Sequence, residues 1–350
     1  IYICRMKSYY LKFPIIYIII AFLTLNISCK EQSDEPENPF VPNEKPDNRK
    51  DGILLNVRGK GNFVYTKYKP LAEKPVNVHY YIPKTGDVAK MPILFAMHGA
   101  ERTATAQLTS WTNLSEKYGF ILIAPEFTAE NGYTENDYQF GGIFESATST
   151  KMRPEEEWTY QLIESIFDYI KFETDNTSET YNMFGHSAGA QFVHRFLWAM
   201  PKARINKAVA ANPGSLTYPL IDGLQADDNI VYGWPYSIKN TSFATKERLN
   251  LFFSRQLFIQ TGTADTRTDN SFPSNPPSMA QGGTRHERAH NFFKSCQNEA
   301  KKLNYALTIK LVDVKDAGHS SQQMVYGLPS PDLNKPDKRG EGNAYDLLFD

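Results

Sequence analysis

Seven histidines and one glycine-flanked serine hold most of the chemistry this sequence could perform. The serine lies in Gly185-His186-Ser187-Ala188-Gly189, which closes the apolar run Tyr181-Asn182-Met183-Phe184. The form G-x-S-x-G is that of a nucleophile elbow, where a strand turns sharply into a helix and lifts a serine hydroxyl above the sheet. The serine sits in strained backbone geometry, and strand and helix come so close that the residues two before and two after must be tiny. Gly185 and Gly189 meet that demand.

A serine hydroxyl is a weak nucleophile until a base takes its proton, and the base needs a carboxylate to fix its tautomer. With an elbow of this kind the chain order is Ser, then Asp or Glu, then His, each on a loop at a strand's C-terminal end. Asp265 takes the acid's place, because Leu257-Phe258-Ile259-Gln260 leads into Thr261-Gly262-Thr263-Ala264-Asp265; Asp269 is the reserve in that loop. His79 falls in an early strand, His98 and His186 adjoin turns, and His194 belongs to the helix after the elbow. His319, in Asp316-Ala317-Gly318-His319-Ser320, follows the last strand and is the base. The oxyanion of an acyl transfer needs two preorganised N–H donors. Ala188, at the start of the elbow helix, supplies one; Ala100, after the strand ending at His98-Gly99, supplies the second, with Glu101 next in line.

A second motif points to a different enzyme. His286-Glu287-Arg288-Ala289-His290 has the form H-E-x-x-H, in which two histidines one helical turn apart bind zinc and the glutamate is a general base. A catalytic zinc needs a third ligand, and none follows at an obvious spacing; Glu299 is the nearest acid downstream on the same helix. Solvated helix residues are the better reading, with no metal site assigned.

The elements that must position these groups are legible as apolar runs. Val76 to Ile82 alternates like an antiparallel strand. Pro92 to Met97, Phe120 to Ala124, Lys207 to Ala211 and Leu257 to Gln260 are continuous runs suited to strands buried on both faces. Between them lie helical patterns over Thr103 to Tyr118, from Pro154 onward with Glu155, Glu156 and Glu157 in the first turn, and from Arg285 to Leu303. The Pro154 helix buries Trp158, Leu162, Ile163, Ile166, Phe167 and Ile170, and the elbow helix buries Phe192, Val193, Phe196, Leu197 and Met200 along one side. Cys296 falls on the apolar stripe of the Arg285 helix and reads as a packed thiol. Leu307, Ile309, Leu311 and Val314 mark a last strand. Strands alternating with helices define an α/β fold with a mostly parallel central sheet flanked by helices.

From about Val76 to Val325 the chain resembles the α/β-hydrolase superfamily, and within it the polyhydroxybutyrate-depolymerase and feruloyl-esterase-like branch. The resembling residues are His98-Gly99-Ala100, Ala124-Pro125-Glu126-Phe127, Gly185-His186-Ser187-Ala188-Gly189, Gly262-Thr263-Ala264-Asp265 and Gly318-His319. The resemblance implies a serine esterase with Ser187, Asp265 and His319 as its triad, the same three residues reached above.

The 350 residues suffice for a sizeable core, and a net charge of −1 gives no electrostatic argument for a nucleic-acid partner. Met6-Lys7 reads as the start, with residues 1–5 upstream of it. Lys7 and Lys12 flank the apolar stretch Phe13 to Leu25, too short to span a bilayer comfortably and matching the core of an export signal. Leu25-Asn26-Ile27-Ser28-Cys29 resembles a bacterial lipobox, which makes Cys29 the lipidated residue and the protein an exported envelope or surface lipoprotein, held to the membrane only by that lipid. Residues 30–52, acidic and rich in proline, read as a disordered tether, and residues 53–350 as one hydrolase domain.

Two insertions overhang the expected site. Glu126 to Arg153 holds Tyr133, Tyr138, Phe140 and Phe144; Asn212 to Arg255 holds Tyr218, Tyr232, Trp234 and Tyr236. Glu101, Tyr138 and Trp234 are the candidate substrate contacts. The expected reaction is a two-step ester hydrolysis on acylated carbohydrate or a polymer ester, with no metal or organic cofactor. The alternatives are a peptidase or thioesterase with the same triad, a zinc metallopeptidase using His286, Glu287 and His290, or a non-catalytic surface-binding lipoprotein.

Overall fold

The computed structural model describes residues 57–350, apart from 228 and 269. The export segment, Cys29, the tether and the reserve acid Asp269 lie outside the described residues. In chain order the strands are β1 (Gly59–Tyr65), β2 (Val76–Ile82), β3 (Ile93–Met97), β4 (Ile121–Glu126), β5 (Tyr181–His186), β6 (Ile205–Ala211), β7 (Leu224–Asp227), β8 (Ile230–Tyr232), β9 (Leu257–Gly262) and β10 (Lys310–Val314). The helices are α1 (Ala104–Tyr118), α2 (Glu135–Gln139), α3 (Gln161–Thr174), α4 (Ala188–Ala199), α5 (Lys246–Phe253), α6 (Pro276–Met279), α7 (Arg285–Leu303), α8 (Ser321–Tyr326) and α9 (Ala344–Phe349).

Among the described residues the main sheet has eight strands in the order β1-β2-β4-β3-β5-β6-β9-β10. β2 pairs antiparallel with β1 and β4, and the strands from β4 to β10 run parallel. The continuous apolar runs follow from this arrangement, because each central strand must bury both faces. Ile93, Phe95 and Met97 of β3 join Met183 and Ile259 in one core with α3, α4, α5 and α7. The intervening Leu94 and Ala96 join Phe184 and Phe258 in a second core under α1, α8 and α9. The chain leaves β3 for β4 on one side and comes back to β5 on the other. The C-terminal ends of β3 and β5 therefore flank the crevice where such sheets bind ligands.

Helix ends are set by identifiable groups. Thr103 precedes α1 without a side-chain cap bond; instead Glu126, at the end of β4, accepts from the Ala104 N–H at 3.2 Å. The helix stops at Gly119, whose φ of 75° is the left-handed conformation glycine tolerates. α7 starts at Thr284, whose hydroxyl accepts from the Glu287 N–H at 3.1 Å, and ends at Asn304, also left-handed. Cys296 is buried and free, and burial pushes its thiol pKa well up, so it is packing and not a reactive group.

One expectation about a helix fails. Glu155–Glu157 form a separate 3₁₀ turn, because Trp158 adopts an extended backbone and anchors its indole N–H on the Arg153 carbonyl at 3.0 Å. The helix begins only at Gln161, so the three glutamates are not its first turn. α4 buries Phe192, Val193, Phe196 and Leu197 in the core as expected, and its other residues from Ala188 to Ala199 are buried as well. Its polar side is roofed by the two insertions, with Arg195 donating to Thr217 Oγ1 at 2.9 Å, Ser215 Oγ at 3.0 Å and Gln191 Oε1 at 3.0 Å. Gln191 in turn donates to Gln139 Oε1 at 2.8 Å, so one helix face organises both overhanging loops. No helix of the described residues is long and apolar enough to cross a membrane.

Candidate active site

The site is assembled at the C-terminal ends of β3, β5, β9 and β10. At the end of β5, Ser187 has φ 59° and ψ −115°, a conformation costly for a residue with a side chain, and α4 starts at the next residue. The Ser187 N–H donates to the Ala211 carbonyl at 2.9 Å, which extends the β5–β6 pairing up to the turn. The glycine requirement is literal. A Cβ on Gly185 would stand 2.2 Å from the Gly189 carbonyl oxygen, and one on Gly189 would stand 2.4 Å from the Met97 oxygen and 2.7 Å from that of His98. All three obstacles are backbone and cannot swing away. Gly189→Ala is therefore expected to lower stability by roughly 3 kcal/mol, read as the shift of the urea unfolding midpoint. An unchanged midpoint would show that α4 does not press on β3 as described.

The structure brings the three expected triad residues together. His319 Nε2 lies 3.0 Å from Ser187 Oγ, and its Nδ1 lies 2.8 Å from Asp265 Oδ2. The carboxylate can only accept, so Nδ1 carries the proton and Nε2 presents the lone pair that faces the serine. Asp265 is buried, and its second oxygen pairs with the buried guanidinium of Arg285 at 3.5 Å. The acid and base loops are tied to each other by the Ala264 N–H, which donates to the Ala317 carbonyl at 2.9 Å. Asn212, buried and left-handed at the end of β6, clasps both loops: its Oδ1 accepts from the Gly262 N–H at 2.8 Å and its Nδ2 donates to the Gly318 carbonyl at 3.1 Å. Neither Arg285 nor Asn212 was marked by the sequence. The ring of His186 stands 4.5 Å from that of His319, and burial holds its own pKa well below the usual value, so it stays neutral beside the base.

The turn after β3 lies against the nucleophile, for a Cβ built on Gly99 would stand 3.9 Å from Ser187 Cβ. Its peptide planes are fixed from below. The buried His98 ring accepts from the Phe127 N–H at Nε2, 3.1 Å, so its Nδ1 must donate to the Gly99 carbonyl, 2.9 Å. The Arg102 N–H donates to the same carbonyl at 3.1 Å. In a trans peptide the Ala100 N–H points opposite to that carbonyl, away from His98. Tyr138 stacks on the His98 ring with centroids 4.1 Å apart, and its hydroxyl donates to the His98 carbonyl at 2.6 Å. Tyr138 is thus a buried prop beneath the turn, which corrects its expected role as a substrate contact.

His98 can play this part only when neutral, since a protonated Nε2 could not accept from Phe127. Burial, the largest cause, pushes its pKa down from 6.5 to about 4. Between those values the unfolded chain binds the proton and the folded one does not. The stabilisation is complete above pH 6.5 and is lost as pH falls toward 4. The expected loss from this residue is roughly 3 kcal/mol, checked by denaturant titrations at pH 7 and pH 4.5 on the wild type and His98→Gln; the glutamine variant should show the shallower decline.

The remaining expected contacts fare differently. Glu101 is exposed on the rim of the turn. Trp234 lines a cleft of about 180 Å³ between the two insertions, with Phe140, Phe144, Pro235 and the 146–150 loop. In the H-E-x-x-H motif, Glu287 turns back over the helix start and accepts from the Gly283 N–H at 2.7 Å. The metallopeptidase reading needs Glu287 as a general base, and one oxygen of that carboxylate is engaged by this N–H.

No family model and no curated relative matches the chain. Among solved structures, poly(aspartic acid) hydrolase-1 of Sphingomonas sp. KT-1 is 33% identical, over 76% of this chain and 95% of its own, with a TM-score of 0.69. A poly(3-hydroxybutyrate) depolymerase of Bordetella parapertussis is 26% identical, over 84% of this chain and 94% of its own, with a TM-score of 0.72. The parallel sheet, its strand order and these likenesses place the chain in the α/β-hydrolase superfamily, to which it belongs. Within that superfamily it is a serine hydrolase of the carboxylesterase type.

Proposed function

We propose that this ester hydrolase works through Ser187, His319 and Asp265 as a catalytic triad and forms an acyl-enzyme on Ser187. The observation that carries the reading is the unbroken chain of short contacts, 3.0 Å from Ser187 Oγ to His319 Nε2 and 2.8 Å from His319 Nδ1 to Asp265 Oδ2. His319 takes the serine proton as Oγ attacks the ester carbonyl, and the buried carboxylate of Asp265 stabilises the imidazolium that forms. The carbonyl oxygen, now an oxyanion, receives the N–H groups of Ala188 and Ala100; the first also stands at the positive end of the α4 dipole. His319 returns its proton to the leaving alcohol. It then takes a proton from water as the water oxygen attacks the acyl carbon, and passes that proton to Ser187 Oγ as the acid is released and the free serine restored.

The substrate class that best fits is a polymer or oligomer ester, taken into the cleft roofed by the two insertions. The support is the polyester depolymerase among the structural neighbours. A second reading, amide hydrolysis by the same triad, has support of its own in the poly(aspartic acid) hydrolase at 33% identity. A panel of oligo(3-hydroxybutyrate), acetylated xylo-oligosaccharide, a feruloyl ester, a thioester and poly(aspartic acid) separates these. Oligoester turnover at a kcat/KM at least a hundredfold above the others is the expected result; preference for poly(aspartic acid) would replace the ester reading with the amide one. Attachment to the cell envelope through a lipidated Cys29 belongs to the same proposal and rests on the lipobox-like sequence. Metabolic labelling with a fatty-acid probe should mark the wild type and spare Cys29→Ser.

A further inference from the structure

The H-E-x-x-H motif lacked a third ligand within reach along the helix, and the fold brings one from elsewhere. On α7, His286 and His290 lie one turn apart with ring centroids 4.5 Å from each other. Asp313 of the edge strand β10 faces them: its Oδ1 stands 2.9 Å from His290 Nε2 and 3.8 Å from His286 Nδ1. The three ligand atoms all lie within 4.8 Å of one another. A tetrahedral zinc with bonds of about 2.0–2.2 Å separates its ligand atoms by about 3.3–3.5 Å, a spacing that the two measured distances bracket. The Thr261 hydroxyl, 3.5 Å from His286 Nδ1, closes the buried side, while the two histidines and Asp313 are partly exposed and leave an approach from solvent.

The geometry points to a divalent transition-metal site of the zinc class, built by His286, His290 and Asp313, that clamps α7 to the sheet edge and takes no part in hydrolysis. Two imidazoles and one carboxylate favour Zn²⁺ and its first-row neighbours over Mg²⁺ and Ca²⁺, which prefer all-oxygen sets. Glu287, the general base of a zinc peptidase, is not among the three ligands, and one of its carboxylate oxygens accepts from the Gly283 N–H. The two clamped elements also lead to the triad. Arg285, the residue before His286, pairs with Asp265, and β10 runs directly into the loop that carries His319. A metal there holds together the helix that carries Arg285, the acid's ion-pair partner, and the strand that leads to the base, so its effect is on the stability of that pairing.

The test uses the full chain freed of metal by a chelator, titrated with Zn²⁺ by calorimetry and with Co²⁺ by visible absorption, with Tm measured in Zn²⁺ and in chelator. The expected result is one Zn²⁺ per chain at micromolar affinity or better, tetrahedral Co²⁺ bands, and a Tm several degrees higher with Zn²⁺; Mg²⁺ gives none of these. His290→Gln and Asp313→Asn should each weaken binding at least tenfold and abolish the Tm shift, with the chelator-treated Tm close to that of the wild type. His319→Ala should bind as the wild type does, which separates this site from adventitious capture by the His186–His319 pair. Millimolar or absent binding, affinity unchanged in His290→Gln, or affinity lost in His319→Ala would each overturn the assignment.

Discussion

Ser187→Ala and His319→Ala should each lower kcat by a factor on the order of 10⁵ to 10⁶, and the double variant should be scarcely worse than either. The two residues act on one proton: without the base, the hydroxyl 3.0 Å away is an ordinary alcohol, and without the hydroxyl the base has nothing to activate. What remains in either variant is the contribution of the N–H groups at Ala188 and Ala100 and of binding, worth 10³ to 10⁴ over water in enzymes of this kind. KM should change little, since neither deletion touches the insertions that roof the cleft. Steady-state kinetics on the best ester of the panel read all three numbers. Losses that multiply in the double variant would mean that the residues act independently, contrary to the geometry.

Asp265→Asn carries the second large effect, and it should appear in two observables. An amide side chain in place of the carboxylate can donate to Nδ1 and so favours the tautomer with its proton on Nε2, which turns the wrong face to the serine. A loss on the order of 10⁴ in kcat follows. Stability should fall as well, because the same substitution removes the negative charge that faces the guanidinium of Arg285. Both side chains of that pair are inaccessible to solvent, and breaking a buried ion pair from one side costs on the order of 3 kcal/mol. A denaturant titration and a kcat measurement on one preparation check both halves. Lost activity with unchanged stability would show that Arg285 does not lean on Asp265.

The parts of this protein that could be read in advance are those where one local feature forces the structure. Continuous apolar runs predicted β3, β4, β6 and β9 because a strand buried on both faces has no polar positions to spare. The paired glycines marked the elbow because only hydrogen fits against the Gly189 and Met97 carbonyls. Ser187, Asp265 and His319 could be placed because each follows a legible strand. What escaped depends on contacts made across the fold. Three glutamates after Pro154 suggested a helix start, but the extended backbone of Trp158 ends that turn. Asn212 and Arg285 look like a loop amide and a helix cation until the loops they hold are seen together. The ligand missing from H-E-x-x-H was sought along the helix, whereas Asp313 lies 23 residues beyond His290 on the neighbouring strand. The short helices α8 and α9 have too few turns to show a period, and nothing in the sequence announced them.

Tyr138 shows the same limit from the other direction. An aromatic residue in a loop over a site suggests a surface for substrate, yet this one is buried against His98 and spends its hydroxyl on the backbone of the turn. The insertion therefore does two jobs: it roofs the cleft and it fixes the peptide planes from which the Ala100 N–H projects. Phe140, Phe144 and Trp234 line the cleft between the two insertions.

The central claim, that Ser187 is a nucleophile activated by His319, is tested most directly by labelling the folded chain with a fluorophosphonate and locating the adduct by peptide mass spectrometry. The predicted result is a single phosphonylated site at Ser187, absent from Ser187→Ala and strongly slowed in His319→Ala. A wild-type chain that stays unlabelled, or a Ser187→Ala chain labelled as fast as the wild type, would contradict it.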